Sequence, residues 1–275
     1  MSARRRVLPG FSLSLGYTMF YLSVLVLLPI VACVSKAASL GFAAFRAAVW
    51  TERTRAAYLL TFGTSLAAAV INVLLGLLVA WVLVRYRFPG RRLMDSLIDL
   101  PLALPTAVAG LVYASLYVKK GWLGRYLVPL GVQAAYSRLA IVLVLVFIGL
   151  PFVVRTVQPV LADLDPEVEE AAASLGATRG QAFRRVILPP LFPALVTGFA
   201  LAFARSLGEY GSVVFVSGNM PFRTEIAPVL IVARLEEFAY GEATAIAVVL
   251  LVISFAMLVL INLLERWTKG GEANA

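Results

Sequence analysis

The chain has 275 residues, of which 61% are hydrophobic and 14% charged, with net charge +9 and mean hydropathy +0.91. A soluble domain carries about 25% charged residues, and here the apolar excess comes in long continuous runs, which excludes a soluble globule and argues against a membrane β-barrel of short alternating strands. Histidine is absent and Cys33 is the only cysteine, which removes the commonest general base and metal ligand and any disulfide within the chain.

Runs of about 20 apolar residues match the roughly 30 Å hydrocarbon core. There every backbone polar group must be satisfied internally, so helices are expected. The sequence predicts an all-α, polytopic membrane protein with about six spans and one membrane domain over residues 1–275. The spans run roughly from Phe11 to Val34, Ala57 to Val84, Ser96 to Val118, Leu139 to Val160, Leu191 to Val216 and Ala243 to Leu264. The first follows Arg4, Arg5 and Arg6 and reads as a retained signal-anchor, its apolar part being too long for a signal peptide. The lipoprotein-like box at Ile30–Cys33 would discard that span if cleaved. In the third span Pro101 and Pro105 predict kinks or an interfacial approach.

In a soluble protein a charge of +9 would suggest nucleic acid; here no nucleic-acid partner is expected. The arginine clusters stand at helix ends, where they hold topology and meet anionic membrane lipid. With the N-terminus inside, twelve Lys and Arg fall on the inner side and ten on the outer. The first helix carries most weight, and its three N-terminal arginines place both termini in the cytoplasm of a bacterial inner membrane.

Between the fourth and fifth spans lies the most informative segment, residues 163–190. Asp165 is a good N-cap and Pro166 suits the first helical position. Glu167, Glu169 and Glu170 then sit at the positive end of the helix dipole. Gly176 stops this helix. Thr178 and Gln181 form a capping-box pattern for a second one, which ends in Arg184 and Arg185 and is closed by Pro189 and Pro190. Ala171, Ala172 and Ala173 leave a small-residue surface. Either an ordinary connector or a docking element fits this physics.

The spacing of Glu170-Ala171-Ala172, Gly176 and Leu188-Pro189 resembles the EAA loop of binding-protein-dependent ABC importer permeases. Val186 stands where that pattern expects isoleucine. The likeness extends over most of the chain. Arg85–Arg91, Asp99–Leu111, Pro151–Leu161 and Arg205–Gly211 resemble the sulfate/thiosulfate permease family, with molybdate permeases as close relatives that share a Leu-Gly-Glu segment. The resemblance implies a cytoplasmic coupling helix that docks on an ATPase, through Glu170, Ala171, Ala172, Gly176, Val186, Leu188 and Pro189. It also implies a second, related permease, two ATPase subunits and a periplasmic sulfate-binding protein. No cofactor is expected in this chain: it lacks the Gly-x-x-x-x-Gly-Lys-Ser/Thr phosphate cradle, so ATP and magnesium belong to a partner.

Arg205 and Glu209 interrupt the fifth span. At i and i+4 they can neutralise each other as a packing lock. Alternatively Arg205 lends positive potential to an anion path, with Glu209 limiting how tightly the anion sticks. Ser206 is a further pathway candidate, and Gly208 and Gly211 permit close helix approach. Arg155 reads as a snorkelling anchor. The outer segment, residues 218–242, is either a short helix at the outer mouth or a solvated loop. A self-sufficient secondary transporter is disfavoured because no internal repeat is seen. An intramembrane enzyme is disfavoured because Asp99 shares its span with no second acid.

Overall fold

A computed structural model describes residues 11–272 of the chain. The element order is α1 (Phe11–Ala38), α2 (Phe42–Val49), α3 (Glu52–Arg85), α4 (Arg91–Ile98), α5 (Leu100–Ala103), α6 (Thr106–Tyr117), α7 (Gly124–Leu127), α8 (Arg138–Asp163), α9 (Pro166–Ser174), α10 (Arg179–Ala182), α11 (Leu188–Leu207), α12 (Val213–Val216), α13 (Ala227–Glu236) and α14 (Tyr240–Glu272). No strand occurs among the described residues. Five helical stretches there are long and apolar enough to cross a membrane, and Thr106–Tyr117 is a shorter apolar helix.

The core is built by α3, α8 and α11. Val153, Val154, Val157, Leu161, Leu191 and Phe203 are buried between them. Lipid tails are as apolar as leucine, so close van der Waals contact has to hold such helices together. Small residues supply it: a Cβ on Gly76 would lie 2.6 Å from Val153 Cγ1, and one on Gly198 would lie 3.0 Å from Val153 Cα. The helix α14 packs on α11 and α13, and α1 leans on α14 at the edge of the bundle. Cys33 sits inside α1, its thiol 3.9 Å from the Thr244 carbonyl oxygen.

The expected third span is not one helix. At 12 residues, α6 is roughly 18 Å long, short of the hydrocarbon thickness. The chain approaches it through α4 and α5, and the break falls before Pro105. Proline disfavours the α region for the residue before it, and Leu104 is extended at φ −79°, ψ 135°.

The fifth span also differs from expectation. Pro189 and Pro190 do not close a separate helix. Residues 179–207 form one continuous helical stretch, passing through a π-helical turn at Phe183–Ile187. There the Leu188 amide donates to the Phe183 carbonyl; two consecutive prolines lack the donors that regular α-helix needs, and the wider turn absorbs the mismatch. Arg184 and Arg185 therefore lie within the helix rather than at its end. At the other end the helix stops at Leu207 instead of running to Val216, and the chain turns through Gly208–Ser212 before α12.

Candidate functional site

The segment after α8 folds as its capping signals dictate. The Asp165 carboxylate accepts from the Glu167 amide at 3.0 Å and opens α9. At its end Gly176 adopts φ +83°. The Gly176 amide donates to the Ala173 carbonyl at 2.9 Å and the Ala177 amide to the Ala172 carbonyl at 3.0 Å. These two bonds satisfy carbonyls that a helix end otherwise leaves open. Thr178 and Gln181 form a complete capping box for α10.

What α9 presents outward is mixed. Glu170, Ala171 and Gly176 are exposed and Ala172 is half-buried, while Leu175 and Val168 stand 89% and 54% exposed. Val186 and Leu188 are half-buried on the π turn and the start of α11, and Pro189 is exposed. The element is tied to the bundle by contacts that no spacing in the sequence signals. Glu169 pairs with Arg85 at the end of α3. The Arg85 guanidinium lies 5.5 Å from the ring centroid of Trp81, and Trp81 meets Phe183 edge-on at 5.8 Å. One chain of contacts thus joins α9, the C-terminal end of α3 and the π turn.

On the same side, Arg155 of α8 pairs with Asp95 of α4 at 2.7 Å and with Asp99, just beyond it, at 2.6 Å. It also donates to the Asp95 carbonyl at 2.8 Å and to Gln158 at 2.8 Å. Arg155 is therefore a clamp rather than a snorkelling anchor, because its fork finds two carboxylates spaced i and i+4 on one stripe. The Arg155 guanidinium holds the Asp95 carboxyl below the usual carboxylate range; burial opposes this and Gln158 assists.

The fifth-span charges meet at the opposite end of α11. Arg205 lies in its last turn and pairs with Glu209 Oε2 at 2.6 Å. Glu209 is beyond the helix and only 2% exposed. Its Oε1 accepts from the Ser212 amide at 2.8 Å and from the Ser212 hydroxyl at 2.9 Å. The carboxylate thus organises the turn that ends the span. Ser206 does not join this group: its hydroxyl donates to the Ala202 carbonyl at 2.8 Å and is buried. The helix α6 packs tightly here, since a Cβ on Gly110 would sit 2.3 Å from the Ser212 carbonyl oxygen. The Arg205 side chain remains 33% exposed.

The segment of residues 218–242 is structured rather than a solvated loop. Ala227 and Leu230 of α13 are fully buried. The Ala227 amide donates to Thr61 at 2.8 Å. Arg53 grips the buried Glu225 through two bonds of 2.8 and 2.7 Å. In the middle of α3, Asn72 is fully buried, and neither amide atom has a protein partner among the described residues. Sequence reasoning missed Arg85–Glu169, Arg155–Asp95–Asp99 and Arg53–Glu225. The signal available for the clamp was the i, i+4 spacing of Asp95 and Asp99.

An α-helical bundle with a capped helix pair at one face and a charge-bearing break in its fifth span is a transporter-type membrane component. The chain belongs to the family of binding-protein-dependent transport system inner membrane components, whose model matches residues 72–270. It is similar to the sulfate transport system permease protein CysT of Synechocystis sp., with 53% identity over 252 residues, covering 92% of this chain and 88% of that one. It is likewise similar to CysT of Escherichia coli, with 49% identity over 261 residues, covering 95% and 94%. Its fold matches that in a crystal structure of a bacterial ABC transporter involved in import of the acidic polysaccharide alginate. The TM-score is 0.78 at 16% identity, covering 93% of this chain and 94% of that one. The protein is a multi-pass component of the bacterial inner membrane and a transporter subunit.

Proposed function

We propose that this chain is one permease half of an ATP-driven sulfate or thiosulfate importer, and that it passes force from a separate ATPase into the membrane through residues 163–190. The observation that carries the proposal is the build of that segment. It is capped at both ends of α9 and at the start of α10, exposes Glu170, Ala171 and Leu175, and is braced on α3 by Glu169–Arg85. Its second half runs without a break into the fifth span. A push on α9 is therefore delivered to α3 and α11 together. In this reading two ATPase subunits bind ATP and magnesium, a related second permease completes the pore, and a periplasmic sulfate-binding protein delivers the anion. Both termini lie in the cytoplasm, consistent with the arginines of the N-terminal flank.

Sulfate is favoured by the names of the relatives at about half identity. In this mechanism ATP closes the ATPase pair, residues 163–190 are drawn with it, and the bundle reopens outward as rigid bodies. Arg205 supplies positive potential at the outer end of α11 while Glu209 shares its charge. Ser206, turned into its own helix, contributes no proton to the anion.

The test is reconstitution with the candidate binding protein and ATPase, with labelled sulfate, thiosulfate and molybdate uptake measured side by side. ATP-dependent sulfate uptake is expected. Uptake by this chain alone under an ion gradient would instead identify a secondary transporter.

A further inference from the structure

The buried face of α11 carries a small residue at every fourth position: Ala194, Gly198, Ala202 and Ser206. Neighbours in this row are one helical turn apart, about 6 Å along the axis. Each turn offers α3 and α8 nearly the same shallow profile, so moving α11 by one turn exchanges each small residue for the next. Val153 of α8 marks the present register. It sits over Gly198, its Cβ 3.5 Å from where a Cβ on Gly198 would stand.

A polar side chain lies against the same row and lacks a partner in this register. Asn72 of α3 is 0% exposed, and neither Oδ1 nor Nδ2 is hydrogen-bonded to protein among the described residues. A Cβ on Gly149 would stand 2.3 Å from Asn72 Nδ2 and 3.4 Å from Ala202 Cβ. Asn72, Gly149 and Ala202 therefore meet at one level. One turn further along the row is Ser206, whose hydroxyl is spent on the Ala202 carbonyl of its own helix at 2.8 Å. An unpaired buried amide raises the free energy of this register relative to one in which the amide is bonded.

We infer that α11 slides one turn along α3 and α8 during transport, toward the face that carries α9, and that Ser206 then replaces Ala202 opposite Asn72 and bonds its amide. The direction follows from the chain. The helix α11 starts at the π turn beside α9, so drawing it back carries Ser206 to the level that Ala202 now holds. Its link to the coupling segment is stiffer than that of α3. Residues 179–207 are one continuous helical stretch, whereas α9 holds the end of α3 by side chains, through Glu169 and Arg85. A pull on the segment moves α11 as one rigid body against α3 and α8 as the other. At the far end the helix stops at Leu207, and the non-helical turn of residues 208–212 takes up the displacement. The inference rests on the reading that residues 163–190 transmit force from an ATPase, and it names what that force moves.

The experiment uses the full chain in a Cys33→Ser background, with its co-purifying subunits, in vesicles. ATP-dependent sulfate uptake by this cysteine-free complex is measured first and tests the transport reading by itself. Two double substitutions then read the register by disulfide formation, which needs Cβ atoms about 3.5–4.5 Å apart. Val153→Cys with Gly198→Cys should cross-link in the absence of nucleotide. Val153→Cys with Ala202→Cys should cross-link at least about fivefold more with a non-hydrolysed ATP analogue bound than without it. Adding Asn72→Leu to the second pair should abolish that gain. Asn72→Leu alone, and Ser206→Ala alone, should lower uptake while the ATPase still co-purifies, and neither introduces bulk into the row. An uptake-competent complex in which the 153–202 pair forms equally with and without the analogue overturns the inference. Native uptake by Asn72→Leu overturns it as well, whether or not the cysteine variants fold.

Discussion

Glu209 is the buried charge on which the end of α11 depends. It is shared between Arg205 and two donors of Ser212. Removing one partner of a buried pair leaves a charge uncompensated, which destabilises more than the pair itself stabilises. Arg205→Gln is expected to lower stability by about 1–3 kcal/mol, the smaller end reflecting the solvent access of Arg205. Combining it with Glu209→Gln should restore the thermal midpoint of the purified complex but not anion uptake. If uptake returns with the double substitution, the pair is a packing lock and the pathway role of Arg205 is wrong. Asn72 poses a different question at the same scale, because its amide is buried beside Gly149 with no protein partner among the described residues. An unsatisfied buried polar group costs about 1–3 kcal/mol, so Asn72→Leu should raise the thermal midpoint. A lowered midpoint would mean that the amide is satisfied by something other than protein.

Among the elements, α9 and the turn after it are legible in the sequence. Asp165, Pro166, Gly176, Thr178 and Gln181 act within a few residues of themselves, so local chemistry was enough to place two helix starts and one stop. Gly176→Val should keep the chain in the membrane, since the site is exposed, yet strain a φ of +83° by about 1–2 kcal/mol. Reduced co-purification of the ATPase with normal membrane insertion is the expected outcome. The α6 contact with the Ser212 turn was not legible. Gly110→Ala would place a methyl 2.3 Å from a backbone carbonyl that has no rotamer with which to escape. Loss of uptake and a lowered thermal midpoint are expected. The second half of residues 163–190 misled for an instructive reason. Two prolines normally end a helix, but a single π turn lets α11 continue through them, and whether such a turn forms depends on what Phe183 and Ile187 pack against.

For the whole molecule, the clamp of Arg155 on Asp95 and Asp99 links the α4–α5 approach to the core helix α8. Asp95 is held below its ordinary range, so this contact contributes fully above a carboxylate pKa of about 3.9 and is lost as pH falls through the lowered value. Thermal stability of the complex should be flat through neutral pH and fall in acid, and Asp95→Asn should flatten part of that fall. Hydropathy alone was sufficient to establish a helical membrane bundle, because a lipid solvent forbids unpaired backbone over any long apolar run. Sequence also located the capped segment after α8, because caps are made by neighbours in the chain. The pairings Arg85–Glu169, Arg155–Asp95 and Arg53–Glu225 join residues 84, 60 and 172 positions apart. Only the packing of the helices decided those, as it decided where the third and fifth spans break, since each depends on which side chain a neighbouring helix brings within reach.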